Sequence, residues 1–135
     1  SAPIPLSDHI NWFLAKCKDE NSFMYLVSKD NKALGQVRFD VDKNQETALI
    51  SYSIDSRFRN KGWGTSLMKV AGKTFMRDLG KPILLKAVVK KENIASNKVF
   101  ENLGFVREPD AMFNGVPCNV YSYKIAANEF DLIIE

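Results

Sequence analysis

The stretch SYSIDSRFRNKGWGTSLMKVAGKTFMRDL, residues 51–79, decides the fold. Ile50, Tyr52 and Ile54 alternate as one side of a half-buried strand does. Leu67, Ala71, Phe75 and Leu79 then recur every fourth residue, the spacing of one helix face, and Gly80 and Pro82 stop that helix. Between strand and helix lies Arg59-Asn60-Lys61-Gly62-Trp63-Gly64-Thr65. Its two glycines lack Cβ atoms and let backbone N–H groups crowd one point, where the opening helix adds unpaired donors and the positive end of its dipole. With Arg59 and Lys61 beside it, the turn suits a phosphate or pyrophosphate. A P-loop would end in Gly-Lys-Ser/Thr, and a dinucleotide fingerprint would carry a third glycine where Leu67 stands, so both are disfavoured.

Working outward, residues 23–27 and 34–41 read as two strands joined by the turn formers Asp30-Asn31, with Val37, Phe39 and Val41 alternating. A second polar turn at 42–45 leads into the strand that carries the glycine turn. After the helix, residues 83–89 form an apolar run broken only by Lys86, which reads as a strand covered on both faces and, after a helical crossover, parallel to the strand before it. Asn93 caps a further helix with Ala95, Val99 and Leu103 on one side, and Gly104 ends it. Residues 105–113 and 116–125 flank Asn114-Gly115, a strong hairpin signal. Upstream, Ser7 as N-cap with Ile10, Phe13, Leu14 and Cys17 predicts a short amphipathic helix, after a lead-in whose prolines at 3 and 5 disfavour a strand. The apolar segment 130–134 has the composition of a final strand.

At 135 residues, 45% hydrophobic and 26% charged, the chain is expected to be one globular domain spanning 1–135. A net charge of +3 announces neither a nucleic-acid nor a membrane partner and suits an anionic small ligand. Cys17, Cys118 and the single His9 lack metal-ligand spacing, so no metal site is expected. The cysteine usage and the lack of a membrane-length apolar run point to a reduced, cytoplasmic protein.

Arg59, Gly62 and Gly64 occupy the fixed positions of the Arg/Gln-x-x-Gly-x-Gly/Ala signature, and the chain here resembles the GCN5-related N-acetyltransferases. A second motif of that family, Asn-x-x-Ser-x-x-x-aromatic-x-x-x-Gly-Phe, stands as Asn93, Ser96, Phe100, Gly104 and Phe105. The resemblance covers about residues 23–125 and implies an α+β fold: a mixed, mostly antiparallel sheet flanked by helices, with a splayed central strand pair. Family members normally begin with a strand and more helix before the hairpin. The sheet here is therefore expected to lack its first strand, the N-terminus to be truncated, and the bare edge to be covered by a second chain in a homodimer, by 130–134, or by residues outside this sequence. Residues 35–40 (GQVRFD), with His9, Trp12 and Phe13 upstream, further resemble acetyltransferases of nucleotide-linked amino sugars of the pseudaminic-acid type.

The resemblance implies acetyl-CoA as cosubstrate and a primary amine of a small molecule, a nucleotide-linked amino sugar for surface glycans, as acceptor. Two alternatives stay open: a binding module that keeps the cleft without chemistry, and a protein or aminoacyl N-acetyltransferase. In the family pattern the backbone of Tyr52, Ser53 and Ile54 pairs with the pantetheine amides, Arg59, Asn60, Lys61, Gly62, Trp63, Gly64 and Thr65 surround the pyrophosphate, and Asn93, Ser96 and Phe100 border the pantetheine arm. Gln36, Arg38 and Asp40 are the substrate-binding candidates. Some relatives carry a glutamate base where Val88 stands, and many carry a tyrosine acid where Phe100 stands. His9, Asp40 and Glu92 are thus left as candidate bases, and Ser96, Cys118, Tyr121 and Tyr123 as candidate acids; His9 and Tyr121 are taken as the catalytic pair.

Overall fold

A computed structural model describes residues 12–18 as backbone, and residues 20–125 with their side chains. The strands are β1 (Trp12–Lys18), β2 (Ser22–Lys29), β3 (Lys32–Asp42), β4 (Thr47–Ile54), β5 (Ile83–Lys90), β6 (Val106–Phe113) and β7 (Val116–Ile125), with helices α1 (Trp63–Leu79) and α2 (Ile94–Asn102). Among the described residues they form one sheet in the order β1-β2-β3-β4-β5-β7-β6. All neighbours are antiparallel except β4 and β5, as the crossover through α1 requires.

Local chemistry explains the turns. Asp30 and Asn31 (φ 51° and 63°) and Asn114 and Gly115 (φ 52° and 76°) take the left-handed conformation that tight hairpins demand. In the turn after β3 the Asp42 carboxylate accepts from the N–H groups of Asn44 and Gln45 at 3.0 and 3.2 Å. Gly80, at φ 71°, closes α1 by donating its N–H to the Met76 carbonyl.

Two expectations are corrected at the N-terminus. Residues 12–18 form a strand, not the end of a helix, and that strand occupies the edge expected to be bare, with Trp12 opposite Lys29 and Lys18 opposite Phe23. Apolar residues at 13, 14 and 17 fit a helical repeat, but 13, 15 and 17 fit alternation equally well, and a long partner strand decides between them. The dimer expected to cover a bare edge loses that reason. Residues 1–11, which include His9 and the predicted N-cap Ser7, and the segment 130–134 lie outside the described residues.

Alternate residues of the inner strands turn one face toward both helices. Phe39 stacks on Phe75 of α1 with centroids 4.1 Å apart, Phe23 meets the same ring edge-on at 5.1 Å, and Phe100 of α2 packs against Tyr52 and Tyr121. At the far end of α1 the Tyr25 hydroxyl donates to Asp78 at 2.8 Å; burial, then that carboxylate, pushes its pKa up. Gln36, Arg38, Asp40, Ser51, Ser53, Lys86, Val88 and Lys90 sit on the opposite face, which carries no helix among the described residues.

Candidate functional site

The site begins where a ladder stops. β4 pairs with β5 only through Thr47–Leu84, Ala48–Leu85 and Leu49–Lys86, yet β4 runs on to Ile54 and β5 to Lys90. Past Leu49 and Lys86 the facing edges diverge, leaving backbone donors and acceptors without ladder partners on that side. Three adjoining cavities of about 510, 340 and 420 Å³ open along the gap, and Tyr52 lines all three.

The glycine turn closes one end. Asn60 (φ 60°) and Gly62 (φ 79°) are left-handed, and Gly62 caps α1 without any side-chain hydrogen bond or acidic residue in the first turn. The first N–H groups of α1 therefore keep their capacity for an anion. Arg59 donates Nε to the Ile54 carbonyl at 3.0 Å and so ties the turn to the end of β4. Asp55 accepts from the Arg57 side chain and N–H, which hold its carboxyl below the usual range. Trp63 lines the largest cavity, with Phe58 edge-on at 6.5 Å and Lys29 Nζ 5.1 Å above its ring.

On the other wall, Asn93 caps α2 by accepting the Ser96 N–H at 3.2 Å, and the Ser96 and Tyr52 hydroxyls share a hydrogen bond of 2.8 Å across the gap. Burial pushes the Tyr52 phenol up, with the Ser96 hydrogen bond pulling the other way. Behind Ser96, Asn97 donates Nδ2 to the carbonyls of Lys90 and Asn93 at 3.1 and 2.8 Å and accepts from Asn119 Nδ2 and the Tyr121 hydroxyl at 2.7 and 2.6 Å. This buried amide fixes the end of β5 and the start of α2 to β7.

Every residue assigned from the sequence to the cofactor lines one of the cavities except Lys61, which is exposed in the turn. The other candidates are more dispersed. Arg38 sits beside Ser51 across the β3–β4 ladder, and Asp40 is engaged by Arg38 Nε at 3.1 Å and by the Ser22 hydroxyl at 2.8 Å; neither they nor Gln36 line these three cavities. Tyr121 commits its hydroxyl to Asn97, and burial, then Glu101, raises its pKa. Cys118 is buried and points its thiol at the Val116 carbonyl, and Tyr123 packs on Phe105. Lys98 and Asn102 line the largest cavity and were not singled out; with Ile94 they repeat at helical spacing, a signal present in the sequence. Among the described residues no cluster of metal-ligating side chains occurs, and no helix is long and apolar enough to cross a membrane.

The two glycines act for different reasons. At Gly62 any side chain is strained by the left-handed backbone, whereas at Gly64 an added Cβ meets Val99 Cγ2 at 2.8 Å and Ile54 Cδ1 at 3.4 Å, wedging α1 from α2. Gly62→Val is expected to weaken thermal stabilisation by coenzyme A at least tenfold in apparent affinity with a small loss of intrinsic stability. Gly64→Val is expected to lose the same stabilisation and also about 1–3 kcal/mol of fold stability through overpacking. Thermal denaturation with and without coenzyme A separates the two, and unchanged stabilisation in both variants would remove the turn from the site.

Comparisons with known proteins fit this geometry. No curated protein sequence matches the chain. Its fold is similar to that of RimL, a ribosomal L7/L12 alpha-N-protein acetyltransferase in complex with coenzyme A, at TM-score 0.68 and 22% identity, covering 80% of this chain and 64% of that one. It is also similar to mutant forms of the spermidine/spermine N-acetyltransferase SpeG from Vibrio cholerae, at TM-score 0.67 and 20% identity, covering 87% and 74%. The chain thus spans less than two thirds of the RimL chain. These structures do not support the finer resemblance to amino-sugar enzymes. A family model described as acetyltransferase (GNAT) family matches residues 2–105, and with the splayed strands, glycine turn and Asn93–Ser96 cap in place, the chain belongs to that family.

Proposed function

We propose that the protein is an acetyl-CoA-dependent N-acetyltransferase acting on the primary amine of a small molecule that carries negative charge, a nucleotide-linked amino sugar being the fitting class. The observation that carries this reading is the gap between β4 and β5 with its unpaired backbone edges, ending at an uncapped helix N-terminus. An arm bearing amides adds to the edge of β4 as a strand would, and its pyrophosphate meets the N–H groups of the turn. The thioester carbonyl then lies in the divergent part of the gap, open to a neutral amine arriving from the helix-free face.

Charge supports the acceptor class. Lys86 and Lys90 lie on that face, where Arg38 pairs with Asp40 and Glu108 accepts from Ser122, and no carboxylate lines the three cavities among the described residues. A diphosphate-linked sugar complements the lysines of that face.

The test is thiol release from acetyl-CoA across nucleotide-linked amino sugars, polyamines and peptides with free amino termini. Release with the amino sugars is expected. Release with peptides alone assigns the protein to the N-terminal acetyltransferases. Thermal stabilisation by coenzyme A without release from any amine makes it a binding module, and neither effect overturns the reading.

A further inference from the structure

We propose that Tyr52 is the proton donor to the departing sulfur, with Ser96 holding its hydroxyl in the cleft. The inference rests on the acetyl-transfer reading above. Its basis is the composition of the gap: of the described residues that line the three cavities, the titratable side chains are Tyr52 on β4, Arg59 after it, Lys90 at the end of β5 and Lys98 on α2. No carboxylate or imidazole faces Tyr52 from β4, β5, α1 or α2 among them. An arginine does not give up its proton near neutrality, and Lys90 is exposed at the mouth. Tyr52 alone borders all three cavities.

Its hydroxyl is fixed from two directions. Ser96 Oγ lies 2.8 Å away, itself set by the Asn93 cap, and the Phe100 ring meets the Tyr52 ring edge-on with centroids 6.1 Å apart. A phenol held at one point in the gap is the arrangement a general acid needs.

The amine nitrogen forms a bond to the carbonyl carbon, the C–S bond breaks, and its electron pair goes to sulfur. Sulfur takes the Tyr52 proton and leaves as the thiol. The phenolate recovers a proton through the Ser96 hydroxyl, which is recharged by the proton the nitrogen loses. No other reactant is required.

The experiment compares the wild type with Tyr52→Phe and Ser96→Ala, recording kcat, KM for acetyl-CoA, the coenzyme A thermal shift, and kcat against pH. Tyr52→Phe is expected to lower kcat by about 10²- to 10⁴-fold, with KM and thermal shift nearly unchanged. It is also expected to erase the alkaline fall in kcat that a titrating acid gives the wild type. Ser96→Ala is expected to lower kcat about tenfold and move that fall. Wild-type kcat in Tyr52→Phe overturns the inference, as does an alkaline fall that survives Tyr52→Phe and vanishes in Lys90→Met. If Tyr52→Phe does not fold, an unaltered profile in Ser96→Ala overturns it alone. A wild type that releases no thiol with any amine sinks the functional reading itself, a distinct result.

Discussion

Gly35→Ala is expected to unfold more of this protein's stability than its single added carbon suggests. A Cβ at Gly35 would stand 2.3 Å from the Ser53 carbonyl oxygen, 3.1 Å from Leu67 Cδ2 and 3.3 Å from Ile54 Cα. Two of these are backbone atoms of β4, so no rotamer change relieves the clash and the strands themselves must separate. The crowding sits beside a bulge, where the β2–β3 register slips between Val27 and Ser28 and leaves Leu34 as an extra residue whose carbonyl accepts the Asp55 N–H at 2.9 Å. The upper end of the overpacking range, about 3 kcal/mol, is the expected cost, lowering Tm by about 10 °C. Because Ser53 and Ile54 line the gap at the end of β4, stabilisation by coenzyme A should vanish too. A Tm within a few degrees of wild type would show that β4 yields easily there.

Asn97→Leu is the second large effect. The Asn97 side chain is 7% exposed and satisfies the Lys90 and Asn93 carbonyls, Asn119 Nδ2 and the Tyr121 hydroxyl. Leucine fills similar space but breaks all four bonds: the two carbonyls keep the N–H groups of Asn93 and Asn97, Tyr121 keeps Glu101, and Asn119 Nδ2 is left unpaired. At ~0.5–1.5 kcal/mol for each of the three hydrogen bonds lost at groups that keep another partner, and ~1–3 kcal/mol for the unpaired Asn119 donor, the expected loss is ~3–5 kcal/mol. Asn119 retains Lys91 Nζ at 2.8 Å on its oxygen but loses the partner of its Nδ2, so the damage should centre where the β5–α2 junction meets β7. Thermal unfolding measures the size, and amide exchange at residues 90–97 measures the place. Loss spread evenly over the sheet would contradict the role assigned to Asn97.

What the sequence disclosed, and what it hid, follows from the range of each signal. α1, the Asp30-Asn31 and Asn114-Gly115 hairpins and the glycine turn were legible because each is written in neighbouring residues: a four-residue apolar repeat, or a side chain suited to positive φ. β1 was misread because seven residues are too few to separate a period of two from one of 3.6 when both fit. Asn97 was passed over because a polar residue inside a helix looks like solvated surface until β7 is placed behind it. The Tyr52–Ser96 contact was equally hidden, since it joins residues on different elements across a gap that exists only once β4 and β5 diverge.

That divergence also divides the sheet as a mechanical object. β1 to β4 form a meander of consecutive hairpins, and β5 to β7 a second group stitched by α2, with Thr47–Leu84, Ala48–Leu85 and Leu49–Lys86 the only ladder rungs between them among the described residues. The hairpins close short loops, while those rungs join segments separated by the whole of α1, so each group can assemble before the seam is sealed. The core under the seam is carried by α1, which reaches β2 and β3 on one side and α2 on the other. A chain that opens a cleft by ending a ladder early thereby leaves its sheet joined at the centre by three rungs and the shared core beneath them, where a molecule bound across the gap would act as a rivet between the two strand groups.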